Sequence, residues 1–310
     1  MTSFTREHVR IPAGADTELD CWLYLPSTPG PHPAVVMAHG IGGVKAAGLA
    51  PFAEVFADNG FAVLVFDYRH WGRSGGTPRE LLSIRRQRED YRTALSWARH
   101  HESIDNDRLF IWGTSFAGMH ILDVAANDPG LAGAIAQCPL VDGPAGMAKV
   151  PPARALRLTA TAVADLFAGI AGKPPRYLPV SVGPGSHGVI ATNDALDGLD
   201  RLTPADGEPW PNRITARSLL DIAVHRPVLA AGRIRCPLLM VVAETDSMAP
   251  TGPAARAASR APRGELYRSR GGHYDVYAGG LDHTDVLRVE VEFLSRHAGD
   301  RERAGHAAEA

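Results

Sequence analysis

Short runs that are apolar at every position alternate along this chain with longer stretches of helical periodicity. Ala34-Val35-Val36-Met37-Ala38 and Ala62-Val63-Leu64-Val65-Phe66 are two such runs, and a strand carries that pattern when both of its faces are covered, as in a mainly parallel sheet between helices. The pattern predicts strands over residues 8–12, 18–25 and 34–39, a helix around 52–59, a strand over 61–67, a long amphipathic helix from about 79 to 101 and a strand over 107–112. A helix over 115–127 and a strand over 131–138 continue the alternation. It resumes with a strand over 237–243, a helix around 253–261, a short strand over 265–269 and a last helix from about 283 to 297. Strand and helix taking turns in this way argue an α/β fold, a mostly parallel twisted sheet with helices on both faces.

Between residues 142 and 233 the alternation stops. Pro151-Pro152, Pro174-Pro175, Pro184-Gly185 and Pro209-Trp210-Pro211 punctuate the segment, and helix-like runs are confined to 153–169 and 215–223. A segment of this length seldom lies structureless inside a compact domain. It reads as an inserted helical cap over the C-terminal edge of the sheet, where open α/β sheets bind ligands. The expected organisation is a core of residues 1–141 and 234–300, a cap of 142–233 and a flexible, charged, Ala-rich tail over 301–310.

Gly113-Thr114-Ser115-Phe116-Ala117-Gly118 joins a predicted strand to a predicted helix. Small residues on both sides of Ser115 let the chain reverse tightly and present the hydroxyl at the end of the sheet, although Ala117 stands where the usual Gly-x-Ser-x-Gly pattern has glycine. A serine hydroxyl is a weak nucleophile at neutral pH, so it needs a base, and the base needs an acid to orient it. The strand over 237–243 ends in Glu244-Thr245-Asp246, and the last short strand is followed by Gly271-Gly272-His273. Nucleophile, acid and histidine thus follow three successive strand ends, with Asp246 as the acid and Glu244 or Asp142 as substitutes for it. His39-Gly40-Ile41-Gly42-Gly43 follows the third strand, where main-chain donors for an oxyanion belong; the amides of Ile41 and Phe116 are the expected pair. His39, Gly40, His70, Trp71, His120, Phe167, Tyr177 and Trp210 are candidate pocket residues, His120 sitting one turn beyond Ser115. Phe167, Tyr177 and Trp210, with Leu166, could equally be the cap's own small core.

Composition narrows the partners. The 310 residues carry a formal net charge of −2, which gives no electrostatic footprint for nucleic acid, and no apolar run is long enough for a membrane helix. The Arg85-Arg86-Gln87-Arg88 cluster is interleaved with Glu80, Glu89 and Asp90 and reads as a solvated face. The three cysteines, Cys21, Cys138 and Cys236, are isolated, so they read as reduced core residues of a cytoplasmic protein and as neither a disulfide framework nor metal ligands. The glycines after residue 39 lack the Gly-Lys-Ser/Thr or Gly-x-Gly-x-x-Gly sequences of nucleotide-binding loops. No cofactor and no metal are called for. Exposed apolar faces on the insert offer a route to a homodimer.

With His39-Gly40, the Ser115 turn, Glu244-Thr245-Asp246 and Gly272-His273 in this order, the chain resembles the serine α/β-hydrolase superfamily over nearly its whole length. Phe66-Asp67-Tyr68-Arg69-His70-Trp71-Gly72-Arg73-Ser74-Gly75-Gly76 looks like the post-strand turn of the branch of dienelactone hydrolases, S15-type peptidases and polyketide transferases. Ser83-Ile84-Arg85-Arg86-Gln87 and the insert look most like the polyketide-transferase group. That resemblance implies an acyl-enzyme on Ser115, discharged to water or to an alcohol. The expectation is a cofactor-free serine hydrolase of carboxylic esters, its partner a small-molecule ester or thioester substrate. The alternatives are an acyltransferase or thioesterase of polyketide-type metabolism and, in another class, a catalytically silent binding protein on the same fold.

Overall fold

The computed structural model describes residues 3–14, 16–204 and 210–308. The chain enters through a hairpin, β1 (Phe4–Pro12) and β2 (Glu18–Pro26), followed by β3 (His32–Ala38), α1 (Ala50–Asp58), β4 (Ala62–Phe66), α2 (Ile84–Arg99), β5 (Ile104–Thr114), α3 (Phe116–Ala125) and β6 (Gly133–Gln137). The insert holds α4 (Gly143–Met147), α5 (Pro152–Ile170), β7 (Tyr177–Leu178), α6 (Ala195–Leu202), β8 (Ile214–Thr215), α7 (Ser218–Val224) and a 3-10 turn over Pro227–Arg233. The core then closes with β9 (Leu238–Ala243), α8 (Thr251–Arg260), β10 (Gly264–Ser269) and α9 (His283–Ala308).

The eight-stranded sheet has the order β1-β2-β4-β3-β5-β6-β9-β10. The tight hairpin makes β1 and β2 antiparallel, and β2 runs antiparallel to β4; from β3 onward the strands are joined by helical crossovers and pair in parallel. Their C-terminal ends lie side by side. Ala38 pairs with both Phe66 and Gly113, and Gln137 pairs with both Thr114 and Val241, so the loops after β3, β5, β6 and β9 leave the sheet at one edge. This is the architecture of the α/β-hydrolase fold.

Alternation along each strand feeds two cores. Ala34, Val36 and Ala38 of β3 face Tyr91 of α2 and Ile121 of α3, while Val35 and Met37 face Phe52 and Phe56 of α1 and Phe293 of α9. The first of these cores continues into the insert, since Leu158, Leu178, Ile214 and Ile222 are buried in it. Asp165 of α5 fastens the insert internally: its carboxylate accepts from Arg217 Nε (2.8 Å) and Nη2 (3.1 Å) and from the main-chain N–H groups of Arg176 and Arg217. Among the described residues no helix is long and apolar enough to cross a membrane.

Several boundaries differ from the sequence expectation. Helix α2 begins at Ile84 and not near Arg79, because Arg79 turns back to donate to the carbonyls of Ser74 (2.6 Å) and Gly72 (2.6 Å), fixing the turn after β4. Helices α4 and α6 and the β7–β8 ribbon were not visible in the Pro- and Gly-rich pattern of the insert. Helix α9 continues to Ala308, so the tail expected over 301–310 is helical as far as it is described; residues 309 and 310 lie outside the described residues.

Candidate active site

Ser115 stands between β5 and α3 with φ 54° and ψ −115°, a conformation that costs a non-glycine residue about 1–3 kcal/mol and is kept where the surroundings over-determine it. Two glycines make room for the turn. A Cβ on Gly113 would lie 2.8 Å from the main-chain carbon and oxygen of Ala117, and one on Gly118 would overlap Pro139. The close contact that needs glycine thus falls at position 118, and Ala117 is accommodated as a fully buried residue. Thr114, just before the serine, is fixed by Tyr277 Oη at 2.6 Å and by Gln137 Nε2, which donates to Thr114 Oγ1 at 3.0 Å.

Loops after β9 and β10 bring two further groups to Ser115. His273 Nε2 lies 3.0 Å from Ser115 Oγ, and His273 Nδ1 lies 2.7 Å from Asp246 Oδ2. The other carboxylate oxygen of Asp246 accepts from the N–H groups of Met248 (2.8 Å) and Ala249 (2.7 Å), so the side chain has one orientation. Because a carboxylate only accepts, Nδ1–H donates to Asp246 and Nε2 is left to accept from the serine hydroxyl. His273 and Asp246 are buried. Glu244 is exposed, and Asp142 caps α4 through Ala145 N–H (3.2 Å) and pairs with Arg226 (2.9 Å). Of the three acids weighed from the sequence, only Asp246 meets the imidazole. A hydroxyl in this chain of contacts can surrender its proton to the imidazole as it attacks a carbonyl.

Among the described residues, one group could supply three metal ligand atoms: Cys138, Asp246 and His273, within 4.8 Å of one another. Burial, and then the Asp246 charge, push the Cys138 thiol well above its ordinary range. The other two side chains are engaged with each other at 2.7 Å.

The loop after β3 packs directly on the serine. A Cβ on Gly40 would lie 3.0 Å from Ser115 Cβ, which places the following residue, Ile41, in the wall beside Ser115. Phe116 is the first residue of α3, and its N–H is one of those with no acceptor inside the helix. The loop is held from below by Lys45, a buried side chain that sequence reading overlooked. Its ammonium bonds Asp20 and lies 2.8 Å from Asp67 Oδ2, while its N–H donates to Asp67 Oδ1 at 2.6 Å. Burial alone would lower the Lys45 pKa, but the Asp67 and Asp20 carboxylates hold it above its ordinary value. From above, Trp210 Nε1 donates to the carbonyl of Gly42.

Two chambers meet at Ser115. The larger, about 300 Å³, extends beneath the insert and is walled by apolar residues such as Met147, Leu158, Leu219 and Ile222. The smaller, about 50 Å³, is lined by His39, Gly40, Trp210, Asn212 and Tyr274 among others. Ile41, Ser115, Ile190, Met248 and His273 border both, and Phe116 lines the larger.

Five of the candidate pocket residues line neither chamber. His120 points away from Ser115 on α3, its Nε2 2.9 Å from Gln87 Oε1, and burial lowers its pKa to about 3, so it packs as a neutral ring. His70 faces Arg86 at 3.0 Å, and burial, reinforced by that arginine, lowers its pKa to about 4. Trp71 donates to Leu81 O at 3.1 Å. Tyr177 donates to Arg79 O at 3.1 Å beneath the guanidinium of Arg213. Phe167 is 64% exposed on the outer side of α5; that helix turns Leu158 and Ala162 toward the chamber instead. Met248 and Asn212 were missed because an isolated Met or Asn carries no signal of its own. Leu158 and Ala162 could have been found from the helical spacing of the 153–169 run.

Known proteins share this arrangement of chain. The quorum-quenching protein AidA of Acinetobacter baumannii is 40% identical over 281 residues, spanning 91% of this chain and 92% of that protein. A thiohydrolase, aneE, of Aspergillus aculeatus is 30% identical over 287 residues, spanning 88% of this chain and 87% of that protein. The polyketide transferase grgF of Penicillium is 29% identical over 282 residues, spanning 89% and 91%. The crystal structure of the α/β-hydrolase GrgF superimposes with a TM-score of 0.78 at 27% identity, covering 95% of this chain and 99% of that one. Residues 29–273, from just before β3 through the histidine beside Ser115, match the family described as serine aminopeptidase, S33, and the chain belongs to this hydrolase family of the α/β-hydrolase superfamily.

Proposed function

We propose that the protein is a serine hydrolase of carboxylic esters. Ser115 attacks the substrate carbonyl, His273 takes its proton and later returns it to the leaving group, and Asp246 orients His273 and stabilises the imidazolium. The amides of Ile41 and Phe116 receive the oxyanion, and water releases the acyl group from Ser115. The observation that carries this reading is the unbroken chain Asp246–His273–Ser115, at 2.7 and 3.0 Å, ending at a mostly apolar chamber. Three free, buried cysteines suit a cytoplasmic setting.

A second reading keeps the same residues and changes the acyl donor to a thioester or the acceptor from water to an alcohol. Relatives named as a thiohydrolase and a polyketide transferase favour an acyltransferase or thioesterase of polyketide-type metabolism, and with it a place near the polyketide-transferase group within the dienelactone-hydrolase and S15-like branch. The test is a series of p-nitrophenyl esters of increasing chain length, with wild type and Ser115→Ala, together with fluorophosphonate labelling. Turnover and labelling that both vanish in a folded Ser115→Ala protein are the expected result. Persistence of both in that variant would overturn the assignment, and product analysis with a candidate alcohol present separates hydrolysis from transfer.

A further inference from the structure

The larger chamber is apolar along most of its length, yet among the described residues its wall carries two cations, Lys149 and Arg154, and no aspartate or glutamate. Arg201, Arg213, Arg217 and Arg226 of the same insert each face a carboxylate. Among the described residues Lys149 and Arg154 face none. Lys149 Nζ donates to the main-chain oxygen of Asp246 at 3.0 Å. Arg154 Nη2 donates to the carbonyls of Gly188 (2.7 Å) and Val189 (2.9 Å), which fixes the guanidinium against the chamber wall while its buried Nε–H has no acceptor. Burial, and the neighbouring Arg157, lower the Arg154 pKa from its ordinary value, the response of a cation with no anion beside it. Thr192, on the wall formed by residues 189–192, also has a buried Oγ1 without a partner.

A buried donor without an acceptor is costly, and a guanidinium held in place by two carbonyls is preorganised for a planar anion such as carboxylate or phosphate. Since a methylene fills about as much space as a water molecule, about 30 Å³, the chamber of about 300 Å³ holds a chain on the order of ten atoms. We propose that the larger chamber binds an apolar chain bearing an anionic group, a carboxylate or a phosphate, that is received by Arg154, Thr192 and Lys149. This rests on the serine-hydrolase reading only where the bound molecule is also the reacting ester or thioester.

The first arm of the test needs no turnover. Calorimetric binding of octyl phosphate, with octan-1-ol as the neutral control, is measured on wild type, Arg154→Gln, Arg154→Lys and Thr192→Val. The wild type is expected to prefer the phosphate by about tenfold or more. That preference is expected to fall about tenfold in Arg154→Gln, to fall less in Thr192→Val and to be retained in Arg154→Lys. Equal binding of the two probes by wild type, or a preference that Arg154→Gln leaves intact, overturns the proposal. The second arm compares kcat/KM within matched pairs: p-nitrophenyl esters of a monocarboxylic and a dicarboxylic acid of one chain length, and the same acyl group on N-acetylcysteamine and on coenzyme A. A charged-to-neutral ratio that drops in Arg154→Gln for the first pair places the anion on the acyl chain, and for the second pair on the leaving thiol. A preference in the first arm without any turnover or fluorophosphonate labelling overturns the hydrolase reading and leaves the anion site standing.

Discussion

Glu290 of α9 is fully buried, and its Oε2 accepts from Trp112 Nε1 at 3.0 Å while its Oε1 has no partner. Burial pushes its carboxyl, ordinarily titrating near 4.5, up to about 8, against the smaller opposing effect of the Trp112 hydrogen bond. Below pH 4.5 the group is protonated in the folded and unfolded chains alike, and its contribution to stability is complete. Between 4.5 and 8 the unfolded chain releases the proton that the folded chain retains, so stability falls by about 1.4 kcal/mol for each pH unit, on the order of 4–5 kcal/mol across the window. Above 8 the loss levels off. Glu290→Gln resembles the protonated side chain at every pH and removes this dependence. The two proteins are expected to unfold with nearly equal free energies at pH 4.5 to 5, and the variant to become progressively more stable up to about pH 8. Urea titrations at closely spaced pH values measure the difference, in which every other titrating group cancels. Parallel stability curves between pH 5 and 8.5 would refute the reasoning. The consequence bears on the site, because Trp112 lies on β5, the strand that ends at Ser115.

Three further outcomes follow from the site and its supports. Asp246→Asn keeps an acceptor for Met248 and Ala249 N–H but no longer fixes the imidazole tautomer; kcat on a p-nitrophenyl ester should fall by roughly 10³–10⁴ with little change in melting temperature. Lys45→Met takes the ammonium from two buried carboxylates, of which Asp20 keeps its pair with Arg10 at 3.0 Å, and should cost about 3–5 kcal/mol in a urea titration, with partial recovery when Asp67→Asn is added. Gly118→Ala drives a methyl into Pro139 and should destabilise by about 1–3 kcal/mol while reducing fluorophosphonate labelling, since α3 cannot move without carrying Ser115 with it.

The sheet was legible because runs such as Ala34 to Ala38 have one reading: apolar on every side chain means buried on both faces. The placement of Ser115, Asp246 and His273 was legible for a different reason, their position just past strand ends, which the parallel register then brings to one edge. What could not be read were contacts made across the chain by residues without a pattern. Lys45 in Gly43-Val44-Lys45-Ala46 reads as an ordinary surface lysine, and only the fold carries Asp20 and Asp67 to it. His70, Trp71 and His120 were attractive as pocket residues because their chemistry suits one, but they bond Arg86, Leu81 and Gln87 away from the chambers. The insert was hardest. Apart from α5 its helices have only 5, 8 and 7 residues and its strands two each, and α5 also exposes Leu156, Phe167 and Ile170 on its outward side.

Gly42 is where the insert and the loop after β3 meet. Its φ of 67° suits glycine, and a Cβ there would lie 2.6 Å from a methyl of Val180. Val180 is carried by the segment after β7, which Asn212 fastens by accepting from Ser181 N–H and donating to Ser181 O, both at 2.8 Å. Trp210 completes the contact through the Gly42 carbonyl. Val180, Asn212 and Trp210 also line the smaller chamber. The residues that shape one side of the binding space therefore also press on the loop that carries Ile41, while Lys45 anchors the same loop to the sheet. Under the proposed mechanism, a substitution that enlarges the smaller chamber also moves an oxyanion donor. Substrate range on that side and rate are then coupled through Gly42, whereas the larger chamber, walled by α5 and α7, can change its length or charge without disturbing that contact.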